Sequence, residues 1–197
     1  MTSSSSSRRS LSTHFLEYRN GGGDLQPAVI RMAGILHPDE FWLDWSREML
    51  CRHWGTVRRQ SRTFPFDHTD YYRDIAPVLK RTFVSFEGLA GAGELAGWKN
   101  LCCEIEGMSG DPRRVNIDPG YVNGSRLVLA STKDHAHRIF IGKGIFAEVT
   151  LRYMRKKWVS FDCTFPDFAS GVYDRFLDDV RRDWLSSIKD QGGSWIP

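Results

Sequence analysis

The sequence predicts an α+β domain: a ferredoxin-like βαββαβ core extended by antiparallel β-hairpins and a C-terminal helix. Three observations carry that expectation. Between Ala28 and Ile117 the hydrophobic period runs strand, helix, strand, strand, helix, strand. Four short apolar runs then succeed one another between Arg126 and Phe161, with no helical stretch among them. One long amphipathic stripe follows, ending near Lys189. At 197 residues, 41% of them hydrophobic, the chain suits a single domain that needs neither disulfide nor metal to hold its core.

Ala28 to Leu36 reads as an apolar strand. Asp39 is placed to cap a helix reaching about His53, with Trp42, Trp45 and Met49 at helical spacing. Thr56 to Phe66 reads as extended and polar. In the strand from Lys80 to Leu89, Thr82, Val84 and Phe86 alternate with Arg81, Ser85 and Glu87. The helix from about Ala92 to Met108 has a clear apolar stripe at Leu95, Trp98, Leu101 or Cys102, Ile105 and Met108. Arg113 to Ile117 is the fourth strand, ended by Asp118-Pro119-Gly120, a turn-forming tripeptide. Then come Arg126 to Ser131, His137 to Ile141, Ile145 to Arg152 and Lys156 to Phe161. The last helix, about Ser170 to Lys189, aligns Tyr173, Phe176, Val180, Trp184 and Ile188. A three-residue turn at Gly142-Lys143-Gly144 sets Ile139 opposite Ala147, His137 opposite Val149 and Arg138 opposite Glu148. That register gathers the hairpin's aliphatic residues on one face.

Residues 1–26 are rich in Ser, Arg and Gly and read as a disordered leader; 27–190 form the domain, and 191–197 a loose tail. The domain holds 24 basic and 22 acidic residues, too balanced for a strongly basic nucleic-acid module. No apolar run approaches the ~20 residues of a membrane span. Cys51, Cys102, Cys103 and Cys163 form no CxxC pair and follow no secretory segment, which fits small buried thiols in a reducing cytoplasm. No GxxxxGK[ST] loop is present, since Glu94 stands where the lysine is needed, and no GxGxxG follows a strand.

Four polar clusters fall at expected turns, where sites concentrate. Asp67 and Asp70 flank His68-Thr69. Asp118 and Tyr121 bracket Pro119-Gly120. Ser131-Thr132-Lys133-Asp134-His135-Ala136-His137-Arg138 combines hydroxyls, cations, a carboxylate and two imidazoles, an inventory suited to anion binding with acid–base work. Glu148 lies mid-strand, facing Arg138. His135 and His137 at i, i+2 lack cysteine neighbours, so no metal site is expected.

At these clusters the sequence resembles the bacterial and archaeal domain-of-unknown-function family 4416. The resemblance runs through residues 64–72, through Lys80 to Glu87, and through Arg114-Val115-Asn116-Ile117-Asp118-Pro119-Gly120-Tyr121. It continues at Leu127 to Asp134, His137-Arg138-Ile139 and Gly144 to Leu151, and ends near Thr164-Phe165-Pro166-Asp167. His68 and His135 stand at positions its pattern does not fix. The resemblance implies a pocket of polar residues at turns and names no reaction or cofactor. The expectation is a small cytoplasmic enzyme or ligand-binding domain for an anionic ligand, a phosphorylated metabolite or nucleotide. Lys133 and Arg138, with Ser131, Thr132 and Asp134, would hold the anion. Asp118 and Glu148 would act as acid–base carboxylates, and His137 would shuttle protons. Two alternatives are an RNA-binding module using Arg58-Arg59-Arg62 and Arg152-Arg155-Lys156-Lys157, and a partner-binding protein without catalysis.

Overall fold

The computed structural model describes residues 17–19, 25–67, 72 and 74–191, and shows a mixed α+β architecture built on a mostly antiparallel sheet with four helices. The strands are β1 (Glu17–Arg19), β2 (Leu25–His37), β3 (Val57–Gln60), β4 (Phe64–Phe66), β5 (Leu79–Phe86), β6 (Ala90–Gly91), β7 (Asn116–Val122), β8 (Arg126–Ser131), β9 (Ile139–Phe140), β10 (Phe146–Met154) and β11 (Lys157–Ser160). The helices are α1 (Glu40–Trp54), α2 (Leu95–Met108), α3 (Pro166–Ala169) and α4 (Asp174–Asp190). Across the sheet the order is β11-β10-β8-β7-β2-β5-β3. β4 lies along β5, β9 along β10, and β1 and β6 along β2.

Each face of the sheet carries its own core. On one, α1 and α2 bring Leu43, Leu50, Trp54, Trp98, Cys102 and Ile105 against Val29, Ile35, Val84 and Ile117. On the other, α3 and α4 bring Phe168, Phe176, Val180, Trp184 and Ile188 against Ile30, Met32, Phe83, Leu127 and Leu129. The two-sided cover explains why β5 is buried along nearly its whole length instead of alternating: Arg81, Thr82, Phe83, Val84, Ser85 and Phe86 are all enclosed. The Asp39 side chain accepts from the Trp42 N–H at 3.1 Å and starts α1 as expected.

The structure departs from the sequence reading in four places. Asp118-Pro119-Gly120 is not a turn but the middle of β7, where Asp118 pairs with Gly34 and Pro119 with Ala33. A Cβ at Gly120 would stand 2.3 Å from the Val128 carbonyl oxygen, so close pairing with β8 requires glycine. The expected strand His137 to Ile141 shrinks to Ile139–Phe140. Ile139 faces Ala147 as expected, yet the hairpin's apolar residues Ile139, Phe140, Ile141 and Val149 face solvent. Within the expected leader, Glu17–Arg19 pairs with Leu25–Pro27, and the first domain strand begins at Leu25. Finally, Arg58 and Arg59, with side chains 34% and 40% exposed, share a carboxylate partner. Both pair with Asp183 of α4, a carboxylate 4% exposed.

Burial raises the Asp183 carboxyl, but hydrogen bonds and charge from Arg59 and Arg58 outweigh it, and its pKa falls below the ordinary value. A carboxyl depressed by folding stabilises above its unfolded pKa, and the contribution vanishes as pH falls through the folded value. Asp183→Asn should therefore melt lower than wild type at neutral pH, with the gap closing toward pH 3. Melts across that range that keep a constant gap would remove the ion pair as the cause.

Candidate functional site

β7 and β8 pair only from Gly120–Leu129 to Val122–Leu127, and toward Asn116 the two strands separate. Pairing of β7 with β2 continues to Asn116, so residues 116–119 become an edge inside the sheet. Backbone groups along an antiparallel strand alternate between its two neighbours. Ile117 turns its N–H and C=O away from β2, and Pro119, two residues on, has no N–H to offer β8. Helix α2 satisfies what β8 leaves: the Ile117 N–H donates to Glu106 Oε1 at 2.8 Å, and Lys99 Nζ donates to the Ile117 carbonyl at 2.7 Å.

Lys99 and Glu106 are seven residues apart and so share a face of α2, and both are buried. Lys99 Nζ also donates to Glu106 at 3.4 Å and to Asp118 Oδ1 at 3.3 Å. Arg113 donates to Glu106 Oε2 at 2.6 Å, and Asn116 Nδ2 to Asp118 Oδ2 at 3.0 Å. Burial disfavours the Lys99 charge, but Asp118 and Glu106 more than reverse that and raise its pKa, keeping the ammonium charged. Asp118 is left 28% exposed, with one face open.

The segment after β8 supplies a second wall. Glu148 on β10 lies opposite Leu129 and is buried. It accepts from Arg138 Nε at 2.8 Å, from Thr150 Oγ1 at 3.2 Å, and bonds His137 Nε2 at 2.9 Å. The expected Arg138–Glu148 cross-strand pair is thus a buried one, Arg138's side chain being 6% exposed. Arg138 Nη1 donates to Ser131 Oγ at 2.8 Å and to the Lys133 carbonyl at 3.1 Å, and the Lys133 N–H donates to Ser131 Oγ at 3.2 Å. Ser131 Oγ therefore accepts twice, and its own O–H finds no acceptor among the described residues. Arg138 Nη2 likewise has no acceptor among the described residues, and it keeps some exposure instead of being a buried orphan.

The third wall comes from β4, β5 and the turn into α3. Arg81, 6% exposed, pairs with Asp167, which also accepts from the Tyr173 hydroxyl at 2.9 Å. The Arg81 guanidinium lies 4.4 Å from the Phe66 ring centre and 5.4 Å from that of Phe168. Tyr72 stacks edge-on to Phe66, and burial followed by the charge of Asp118 raises its pKa, so the phenol stays a neutral donor.

The three walls enclose a cavity of about 360 Å³, a volume within the range of small-ligand sites. Of the sequence-predicted residues it brings together Asp118, Ser131, Thr132, Lys133, Arg138 and Glu148. His137 reaches the site through Glu148 and through His135, a lining residue whose ring packs edge-on against it. Asp134 and Asp67 are exposed outside the lining, and Asp70 lies outside the described residues. Tyr121 packs on the α1/α2 core instead. The sequence reading missed Arg81, Lys99, Glu106, Arg113, Asn116 and Asp167. Lys99 and Glu106 did leave a signal: two charges on the buried stripe of an amphipathic helix. Among the described residues no three His, Cys, Asp or Glu side chains are grouped to hold a metal ion, and no helix is long and apolar enough to cross a membrane.

A family model described as Domain of unknown function (DUF4416) matches residues 27–184, most of the chain. The chain belongs to this DUF4416 family. Its match begins within β2 and ends in α4, so it spans every wall of the cavity. Neither curated proteins nor solved structures match this DUF4416 chain.

Proposed function

We propose that this DUF4416 domain binds a small anionic ligand, a phosphorylated metabolite or nucleotide, in the cavity between β7, β8 and α3. The observation that carries the reading is the pair of donors Ser131 O–H and Arg138 Nη2. They sit side by side on a buried scaffold and lack acceptors among the described residues. Both donors face the cavity, and an anion oxygen would give each a charge-assisted acceptor. Lining charges support the same sign: Arg81, Lys99, Arg113, Lys133 and Arg138 against Glu106, Asp118, Glu148 and Asp167. If the domain is an enzyme, Asp118 and Glu148 are its acid–base carboxylates, and His137 exchanges protons through Glu148.

We read β2-α1-β3-β5-α2-β7, with sheet order β7-β2-β5-β3, as a ferredoxin-like core. Four free cysteines fit a cytoplasmic setting. The engagement of Arg58 and Arg59 with Asp183 weighs against RNA binding along that strand.

A thermal-shift panel of phosphorylated metabolites and nucleotides tests the reading. At least one compound should raise the wild-type melting temperature, as any ligand selective for the folded state must. Lys133→Ala should abolish that rise while its ligand-free melting temperature stays within about 2 °C, because a loop lysine contributes little to folding. A panel with no stabilising compound, or a Lys133→Ala protein that unfolds, counts against the site.

A further inference from the structure

We infer that the ligand is a nucleoside monophosphate, its phosphate on Ser131 and Arg138 and its base against Phe165. The inference rests on the anion-binding reading above and adds the organic half of the ligand. Three features beyond that reading carry it.

The first is Phe165. It lines the cavity, is 48% exposed, and no other ring of the described residues packs against it. The neighbouring aromatics are all engaged: Phe66 with Tyr72, and Phe168 with Phe83 and Tyr173. A large apolar ring left open at a cavity of cations is a stacking surface for a planar group.

The second is reach. Asp118, Ser131 and Arg81 share the sheet face of Gly120, Leu129 and Phe83, by the period of two along each strand. Ser131 on β8 and Arg81 on β5, beside the aromatic wall, have β7 and β2 between them in the sheet, and each paired step spans ~4.8 Å. Inorganic phosphate cannot bridge that distance, whereas a phosphate joined through a sugar to a ring can. Between the two ends stands Asp118, its oxygens steadied by Lys99 and Asn116 and its open face turned to the cavity. A carboxylate there accepts from sugar hydroxyls, the partner it takes in other ribose sites.

The third is charge. Five cations and four carboxylates line the walls. A monophosphate, at about −1.5 to −2 near neutral pH, is met by this modest excess together with the unsatisfied Ser131 and Arg138 donors. A triphosphate would leave most of its charge uncompensated in a cavity of this size.

Titration calorimetry of the full chain decides the matter, using the four ribonucleoside 5′-monophosphates, ribose 5-phosphate and inorganic phosphate. At least one nucleotide should bind about ten-fold or more tightly than ribose 5-phosphate, the scale of one base stacked on an aromatic ring. Phe165→Ala should erase that advantage and leave ribose 5-phosphate binding unchanged, whereas Phe165→Tyr should keep it. Ribose 5-phosphate binding as tightly as every nucleotide, or equal losses for both in Phe165→Ala, overturns the nucleotide and leaves the anion site standing. Failure of all six compounds overturns the nucleotide, and the wider thermal-shift panel then decides the anion site.

Discussion

Asp167→Ala is expected to destabilise the fold by about 3–5 kcal/mol, the cost of removing one partner from a buried ion pair. Asp167 is 2% exposed and Arg81 6% exposed, so the guanidinium would keep its charge with no carboxylate beside it and little solvent. The Tyr173 hydroxyl, itself buried, would lose its acceptor at the same time. In a domain of this size ~1 kcal/mol shifts Tm by about 2–4 °C, so a fall of roughly 10 °C is expected by thermal denaturation. Pairing the change with Arg81→Met should recover part of the loss, because the burial penalty of the orphaned charge is then gone. A single-variant loss under about 1 kcal/mol would mean that Arg81 relaxes to solvent, and that the third wall of the cavity is softer than it looks.

That wall shows why a single sequence reveals the site unevenly. Arg81 and Asp167 are 86 residues apart and neither sits in a cluster of polar residues. Arg81 alternates within a strand as a solvated residue would, and only the cover provided by α3 makes it internal. By contrast Ser131, Lys133 and Arg138 are eight residues or fewer apart at a strand exit, where side chains converge whatever the rest of the chain does. Local signals were equally dependable for α1, whose cap residue Asp39 and apolar stripe act within a few turns. They failed at Asp118-Pro119-Gly120, where turn chemistry predicts a reversal. Seven residues of register with β2 hold the segment straight instead. Pairing with a strand over 80 residues away is invisible to local pattern, and here it decides the site: the absent Pro119 N–H helps part β7 from β8.

The consequence of that parting is the last expectation. Glu106→Ala should cost about 3–5 kcal/mol, and should also change ligand binding, because Glu106 and its partners Lys99 and Arg113 all line the cavity. Glu106 accepts from Lys99, Arg113 and the Ile117 N–H, three donors that no strand satisfies. Without it, the Ile117 N–H is buried and unpaired, and Lys99, 4% exposed, retains only Asp118 and the Ile117 carbonyl. Lys99 would then pull on Asp118, the one lining carboxylate whose position it fixes. Glu106→Gln keeps an acceptor for the Ile117 N–H and should lose less than Glu106→Ala. A Lys99→Met/Glu106→Gln double variant should fall short of the sum of its single changes, because the two charges exist to neutralise one another. Chemical denaturation of the four proteins measures each term. Strict additivity would show that α2 does not brace the open edge of β7 through this pair.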